Sequence, residues 1–411
     1  MSDTFSSATR AVRAALETDS QHNAVVPPLH LTSTYAFKGF GEKGVYDYTR
    51  SGNPTRDALG DAIASLEGAE GAVITASGMA AVTLVTQLLN SDELLIAPHD
   101  CYGGTYRLLD SLARRGSLRV EFVDQTDDRA LDAALAKKPK LLWLETPSNP
   151  LLRIVDIRRL AQKAHDVGAL LLVDNTFLSP GWQLPIGLGA DLVLHSTTKY
   201  LNGHSDVVGG AVASASRELH DKLVWWANCI GVTGAPFDSY LTLRGIRTLH
   251  ARLAIHGANA QRIAQLLDSH EAVQKVFYPG LEHHPQHRLA REQQSGFGAM
   301  VSFELKGGVP QVKAFLDGLL GRLQPDEAAA RGGDADAPTA VGGVGDRDHP
   351  AGDGGARAPA RPTGRAGRVP RVAGRAPGLR FGDRDAAQLG AVGAAGDHEP
   401  RSLEPLDEGR S

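Results

Sequence analysis

Between about residues 55 and 215, short β-rich apolar runs alternate with helix-like stretches, and no other feature limits the fold as strongly. The runs are AVIT (72–75), LLIA (94–97), RVEFVD (119–124), KLLWLE (140–145), ALLLVD (169–174), DLVLH (191–195) and GGAVASA (209–215). Amphipathic segments such as AAVTLVTQLL and DIRRLAQKAHDVG lie between several of them. Fully apolar strands separated by helices predict an α/β fold with a mostly parallel sheet covered on both faces. Gly168 suits the position just past a helix end, where a left-handed backbone is favoured. Residues 216–270 read as helical, and GFGAMVSFEL (296–305) reads as a strand opening a second, smaller domain.

With 411 residues the chain can hold two or more substantial cores. Its net charge of -4 and the lack of a basic patch in its first three quarters speak against nucleic acid or an anionic membrane as partner. No apolar run approaches the roughly 20 residues that span a bilayer. The start, MSDTFSSATRAVRAALETDS, has no signal-peptide core, and Asp3, Glu17 and Asp19 argue against a transit peptide. Cys101 and Cys229 sit in no metal-type spacing and suit a reducing compartment. A soluble cytoplasmic protein without a metal is expected.

Composition changes near residue 322. From 325 onward about two-thirds of the residues are Gly, Ala, Arg and Pro, and Lys, Ile, Tyr, Asn, Met, Trp and Cys are absent. Two readings stand open. Such a segment buries too little apolar surface to offset its ordering entropy, so it can be a disordered low-complexity tail. The enriched residues also have codons built only of G and C, as a GC-rich gene has in the wrong frame. The composition favours the second reading.

LHSTTKYLNGHSD (194–206) places Lys199 just past an apolar run. A lysine there most often reaches out to water. In open α/β sheets, however, ligands bind beyond the carboxyl ends of strands, and Asp174 ends a neighbouring run. A lysine and a carboxylate at adjacent strand ends suit pyridoxal phosphate (PLP). The lysine forms an imine with the aldehyde, and the aspartate keeps the ring nitrogen protonated. An Asp–Lys ion pair at the sheet edge is the alternative. ITASGMAAV (74–82) offers a strand, a small-residue turn and a helix beginning at Gly78 and Met79, where free N–H groups attract an anion. Ser196 and Thr198 add hydroxyl donors, and Tyr102 can stack on a ring. EHHPQH (282–287) reads as a surface loop rather than a metal site, NGHSD as a polar loop, and Trp225 and Trp226 as packing residues.

YDYTRSGNPTRDAL, APHDCYGGTYRLLDSL, ETPSNPLLRIVDI, VDNTFLSP, HSTTKYLNGHSDVVGG and NCIGVTGAPFDSYLTLRGIRTL together resemble the Cys/Met-metabolism family of PLP enzymes, over about residues 9–320. The resemblance implies a three-layer, aminotransferase-like (fold type I) seven-stranded sheet. It also implies an N-terminal arm (1–55), a large PLP-binding domain (56–250) and the start of a smaller C-terminal α+β domain (251–322), incomplete or scrambled here because 323–411 is aberrant. Lys199 is then the imine-forming lysine and Asp174 the partner of the ring nitrogen. Tyr102 stacks on the ring, and Gly78, Met79, Ser196 and Thr198 hold the phosphate. Tyr48 and Arg50 reach the phosphate of the neighbouring subunit, Arg107 and Asn149 contact substrate, and Asp47 lies by the entrance. A homo-oligomer, a dimer of dimers with shared sites, follows. So does a γ-replacement on O-succinyl-L-homoserine by L-cysteine, with a lyase of the same family as alternative and a non-catalytic cofactor-binding remnant as the reading from another class.

The family also carries a segment like SLGGVE and a later RxSVGxE, whose arginine binds the substrate α-carboxylate. Neither is present. LRFGDRD (379–385) is only an echo, so the role is not transferred to Arg380. Shifting the back-translation of 321–336 by one base permits a string resembling the missing segment.

Overall fold

The structure, a computed structural model, describes residues 5–16 and 18–323. The expectations for 324–411, including the echo at Arg380, lie outside the described residues. Seven strands form the main sheet: β1 (Gly71–Thr75), β2 (Leu94–Pro98), β3 (Arg119–Val123), β4 (Leu141–Glu145), β5 (Leu170–Asp174), β6 (Leu192–Ser196) and β7 (Gly210–Ser214). Each begins at, or one residue from, its expected start. The order is β1-β7-β6-β5-β4-β2-β3. Neighbours from β6 to β3 are parallel, and β7 runs antiparallel to both β6 and β1.

Helices cover both faces, as fully apolar strands require. Those before and between the strands are α1 (Ser7–Val12), α2 (Pro54–Glu67), α3 (Gly78–Thr86), α4 (Gly103–Arg114), α5 (Asp128–Leu135), α6 (Ile157–Asp166) and α7 (Ser179–Trp182). After β7 come α8 (Arg217–Ile230), α9 (Pro236–Ile246) and α10 (Leu249–Asp268). The period of two along β4 separates the faces. Leu141 and Trp143 pack with α3, α4 and α8, whereas Leu142 and Leu144 pack with α5 and α6. Helix α2 lies on the α5/α6 face, where it packs with Ile74 and Ala211. Trp143 is fully buried, so its truncation to Ala should cost about 3–5 kcal/mol.

Local chemistry sets the element ends. Asn53 caps α2, its side-chain oxygen accepting from Thr55 N–H (3.0 Å) and Arg56 N–H (3.3 Å), with Pro54 in the first turn. Gly168 follows α6 at φ 78°, the left-handed conformation expected of it.

Beyond α10, β8 (Val273–Phe277) and β9 (Ser302–Leu305) pair antiparallel, with α11 (His287–Gln293) between them and α12 (Val309–Leu323) after. Strand β9 is the expected strand in GFGAMVSFEL. Strand β8 has no legible alternation because a register shift between Val273 and Lys275 exposes Gln274 and Lys275 together.

Two local expectations need correction. Trp226 packs against the α3/α4/α8 core, but Trp225 is 58% exposed. In the 282–287 loop His283 is exposed, but His284 is buried, which pushes its imidazole down to about 4. Among the described residues no helix is long and apolar enough to cross a membrane, and no cluster of metal-ligating side chains occurs.

Candidate active site

The carboxyl ends of the parallel strands meet along one sheet edge. Asp174 ends β5 and Glu145 ends β4, and the two are paired in register. Both follow the α3/α4/α8 face, since Leu172 and Trp143, two residues earlier, pack there. Thr176 N–H donates to Asp174 Oδ1 at 3.0 Å, and the Thr176 hydroxyl also bonds this carboxyl. Burial nevertheless raises Asp174 above the usual carboxylate range, with the nearby His195 imidazole pulling it down. Burial and then the Asp174 charge push Glu145 well above its ordinary value, against the pull of the Tyr102 N–H donated at 2.8 Å. The sequence reasoning left Glu145 without a role. Its signal was present: it closes KLLWLE as Asp174 closes ALLLVD.

Strand β6 delivers the next group. Ser196 N–H donates to Thr176 Oγ1 at 2.9 Å, tying the ends of β5 and β6 together. The chain then turns through Thr197, Thr198 and Lys199. Gly209 fixes that turn from the opposite side: its carbonyl accepts from Thr197 N–H (3.0 Å), and its N–H donates to Thr198 Oγ1 (3.1 Å). Lys199 is exposed, and its ammonium has no hydrogen-bond or ion-pair partner among the described residues. The Asp–Lys ion pair is therefore not formed.

Gly78 opens α3 directly against this group. A Cβ at Gly78 would fall 2.9 Å from Ser196 Cβ, and one at Gly210 would fall 2.3 Å from Ser77 O. Only glycines let the helix start approach the end of β6 this closely. Ser77 caps α3 by accepting from Ala80 N–H (3.0 Å). The Gly78 and Met79 N–H groups have no partner among the described residues, as an anion site requires.

Tyr102 precedes α4 and is half exposed. A Cβ at Gly104 would meet its ring at 2.6 Å and Met79 Sδ at 2.9 Å, so both side chains border one point. Arg107 lies further along α4, exposed, with Nη1 3.5 Å from where a Gly103 Cβ would sit. Asn149 follows β4, and its backbone N–H bonds the Glu145 carboxyl. The structure thus gathers Gly78, Met79, Tyr102, Asp174, Ser196, Thr198 and Lys199 at one edge, with Arg107 and Asn149 on adjoining elements.

Asp47, Tyr48 and Arg50 are elsewhere. Asp47 accepts from Ser51 Oγ (2.9 Å) and Tyr48 N–H (2.7 Å), which hold its carboxyl below the usual range. Arg50 reaches the carbonyl of Asn228 in α8 at 2.7 Å and lies over the Tyr48 ring at 5.5 Å. None of the three bonds a member of the strand-end cluster.

PLP carries a phosphate, an aldehyde and a basic ring nitrogen, and the edge has a feature for each. Among the described residues these are an unpartnered helix start beside two hydroxyls, an unpaired lysine, and a half-buried carboxyl with no cation bonded to it. The residues fit the cofactor. A sequence model of the Cys/Met metabolism PLP-dependent enzymes matches residues 8–321.

The chain belongs to this family.

Among the Cys/Met metabolism enzymes, cystathionine gamma-synthase of Escherichia coli (strain K12) is 57% identical over 313 residues, covering 76% of this chain and 81% of that protein. Cystathionine gamma-lyase of Dictyostelium discoideum is 44% identical over 312 residues, covering 76% and 81%. The crystal structure of cystathionine gamma synthase from Xanthomonas oryzae pv. oryzae in complex with cystathionine superposes with a TM-score of 0.76 at 58% identity. It covers 77% of this chain and 82% of that one. The seven-stranded sheet with its flanking helices is the PLP fold type I architecture, and PLP is the cofactor of the family.

Proposed function

We propose that the chain catalyses γ-replacement on an O-acylated homoserine, with O-succinyl-L-homoserine as donor and L-cysteine as acceptor, giving cystathionine and succinate. The carrying observation is the strand-end cluster of Lys199 and Asp174 within a region 57% identical to the E. coli cystathionine gamma-synthase. When bound, PLP supplies an aldehyde that takes up the substrate amino group and a ring that draws electron density from Cα. Asp174 holds the proton on the ring nitrogen. Gly78, Met79, Ser196 and Thr198 would hold the phosphate, and Tyr102 would pack against the ring. The Lys199 amine takes the Cα proton as general base. A second proton leaves Cβ, the Cγ–O bond breaks with loss of succinate, and the Cγ–S bond forms with the cysteine thiolate. Both protons are then returned. Arg107 forms a forked pair with the distal carboxylate of the donor, and Asn149 orients the substrate.

The remaining expectations complete the reading. Asp47, Tyr48 and Arg50 serve the site of a neighbouring subunit in a cytoplasmic dimer of dimers. Residues 1–55 form the arm, 56–250 the large domain and 251–322 the start of the small one. The family match stops at residue 321, where the composition changes. This favours a second reading, an impaired cofactor-binding remnant lacking the α-carboxylate arginine, which predicts turnover far below that of the relatives.

Incubation with O-succinylhomoserine, with and without cysteine, tests these readings. Cystathionine formed only with cysteine is the expected result. Turnover of cystathionine with no use of the succinyl donor would assign a lyase instead. A cofactor band that substrates leave unchanged would assign the remnant.

A further inference from the structure

Three site residues share one pattern: beside each lies a buried residue bonded on the opposite face of the sheet. Glu145 is followed by Thr146, Asp174 by Asn175, and Ser196 is preceded by His195. Thr146 and Asn175 directly follow the last residues of β4 and β5, and Thr146 Oγ1 accepts from the N–H of Val155, which packs on the α5/α6 face, at 3.2 Å. His195 lies within β6, where successive residues face opposite ways. Val193, two residues before His195, packs accordingly on the α5/α6 face.

Behind the sheet the three neighbours are joined. His195 Nε2 lies 2.6 Å from Oε1 of Glu67, the last residue of α2. The same oxygen accepts from Asn175 Nδ2 at 3.0 Å. Asn175 Nδ2 also donates to the Gln183 carbonyl, and Gln183 Nε2 donates both to Asn175 Oδ1 and to the Thr146 carbonyl, each at 3.0 Å. Glu67, Thr146, Asn175, Gln183 and His195 are all buried to 1% exposure or less. Glu67 Oε2 has no partner among the described residues. A buried carboxyl with an unmet oxygen is expensive unless it serves a purpose. An apolar core would close this face at lower cost.

We propose that Glu67 and His195 are positioning residues for the reaction, acting through Asn175, Gln183 and Thr146 to hold the strand ends that carry Glu145, Asp174 and Lys199. The network fixes where the Asp174 carboxyl meets the cofactor ring and where the Lys199 turn departs from β6. The proposal needs PLP in the site but is independent of the choice between synthase and lyase.

Glu67→Gln and His195→Gln keep size and polarity, while Gln183→Met removes both donors and leaves the Glu67–His195 pair intact. Val276→Ala, in a separate apolar cluster that contains no member of the network, serves as the stability control. Each is purified with PLP and compared by thermal melting, by the dissociation constant for PLP after removal and readdition, and by visible circular dichroism per bound cofactor. The circular dichroism reads the seating of the ring and not the stability of the fold. The expected result is PLP affinity lowered about tenfold in Glu67→Gln and His195→Gln and about threefold in Gln183→Met, with altered visible ellipticity. Val276→Ala is expected to melt lower with neither effect. The double variant Glu67→Gln/His195→Gln should bind PLP no more weakly than the worse single one. Should the two pair variants fail to fold, Gln183→Met against Val276→Ala decides alone. Unchanged affinity and ellipticity in a folded network variant would overturn the proposal.

Discussion

Glu145 and Asp174 stand opposite each other on adjacent parallel strands, a buried and a half-buried carboxyl at one sheet edge. Burial raises both, and the Asp174 charge raises Glu145 further. A carboxyl raised in the folded state binds more protons folded than unfolded as pH climbs past its unfolded value, about 4.3 for Glu. Stability therefore falls as pH rises from there through the raised folded value, and the penalty is fully present above it. Urea titrations of the PLP-free protein at stepped pH should show a flatter decline for Glu145→Gln than for the parent. A parallel decline would mean that Glu145 is not raised in the folded protein.

Asp174→Asn keeps an acceptor for Thr176 N–H but removes the charge proposed to sustain a protonated ring. Turnover should fall about 10²–10³-fold, the usual cost of one preorganised electrostatic partner. PLP should remain attached at residue 199, as borohydride reduction and peptide mass analysis will show. Lys199→Ala should abolish that attachment.

Gly78→Ala places a Cβ 2.9 Å from that of Ser196. The helix start must then retreat from the end of β6, which would disturb the proposed phosphate seat. PLP affinity should drop about tenfold or more, an order set by one charge-assisted hydrogen bond. Equilibrium dialysis measures this directly, and inorganic phosphate should compete less well in the variant.

Arg107 is exposed on α4. If it grips the distal carboxylate of the donor, Arg107→Ala should raise KM for O-succinylhomoserine about 10- to 100-fold and leave that for cysteine unchanged. Equal changes in both constants would remove the assignment.

Tyr48 and Arg50 sit away from their own strand-end cluster, with Arg50 bonded to Asn228. Arg50→Ala and Lys199→Ala should each be nearly inactive. If the site is shared between subunits as proposed, mixing them under conditions that exchange subunits should restore activity through the one intact site of a hybrid pair. Failure to restore it would confine each site to a single chain.

Most of the seven strands were legible because burial on both faces writes nearly uninterrupted apolar runs, the edge strand β3 with Arg119 and Glu121 being the exception, and because Gly168 and the cap around Asn53 mark helix ends chemically. The places of Lys199 and Asp174, just past β6 and at the end of β5, were legible because charges at or beyond the end of apolar runs are conspicuous. Glu145 carried the same mark, but its role arises from the register with β5, which spacing alone does not give. The Glu67–His195 contact is less legible still. It joins residues far apart in sequence whose meeting depends on where α2 crosses the sheet. Strand β8 was hidden by its bulge.

Strand β7 runs against its neighbours, so it starts at the edge where β6 stops, and Gly209 ties both feet of the 197–209 excursion together. The main chain around Lys199 is therefore clasped like a buckle at its base. Movement of the Lys199 amine falls to its own four methylenes. Residues added at the far tip, near His204 and Ser205, would lengthen the loop without moving the nitrogen.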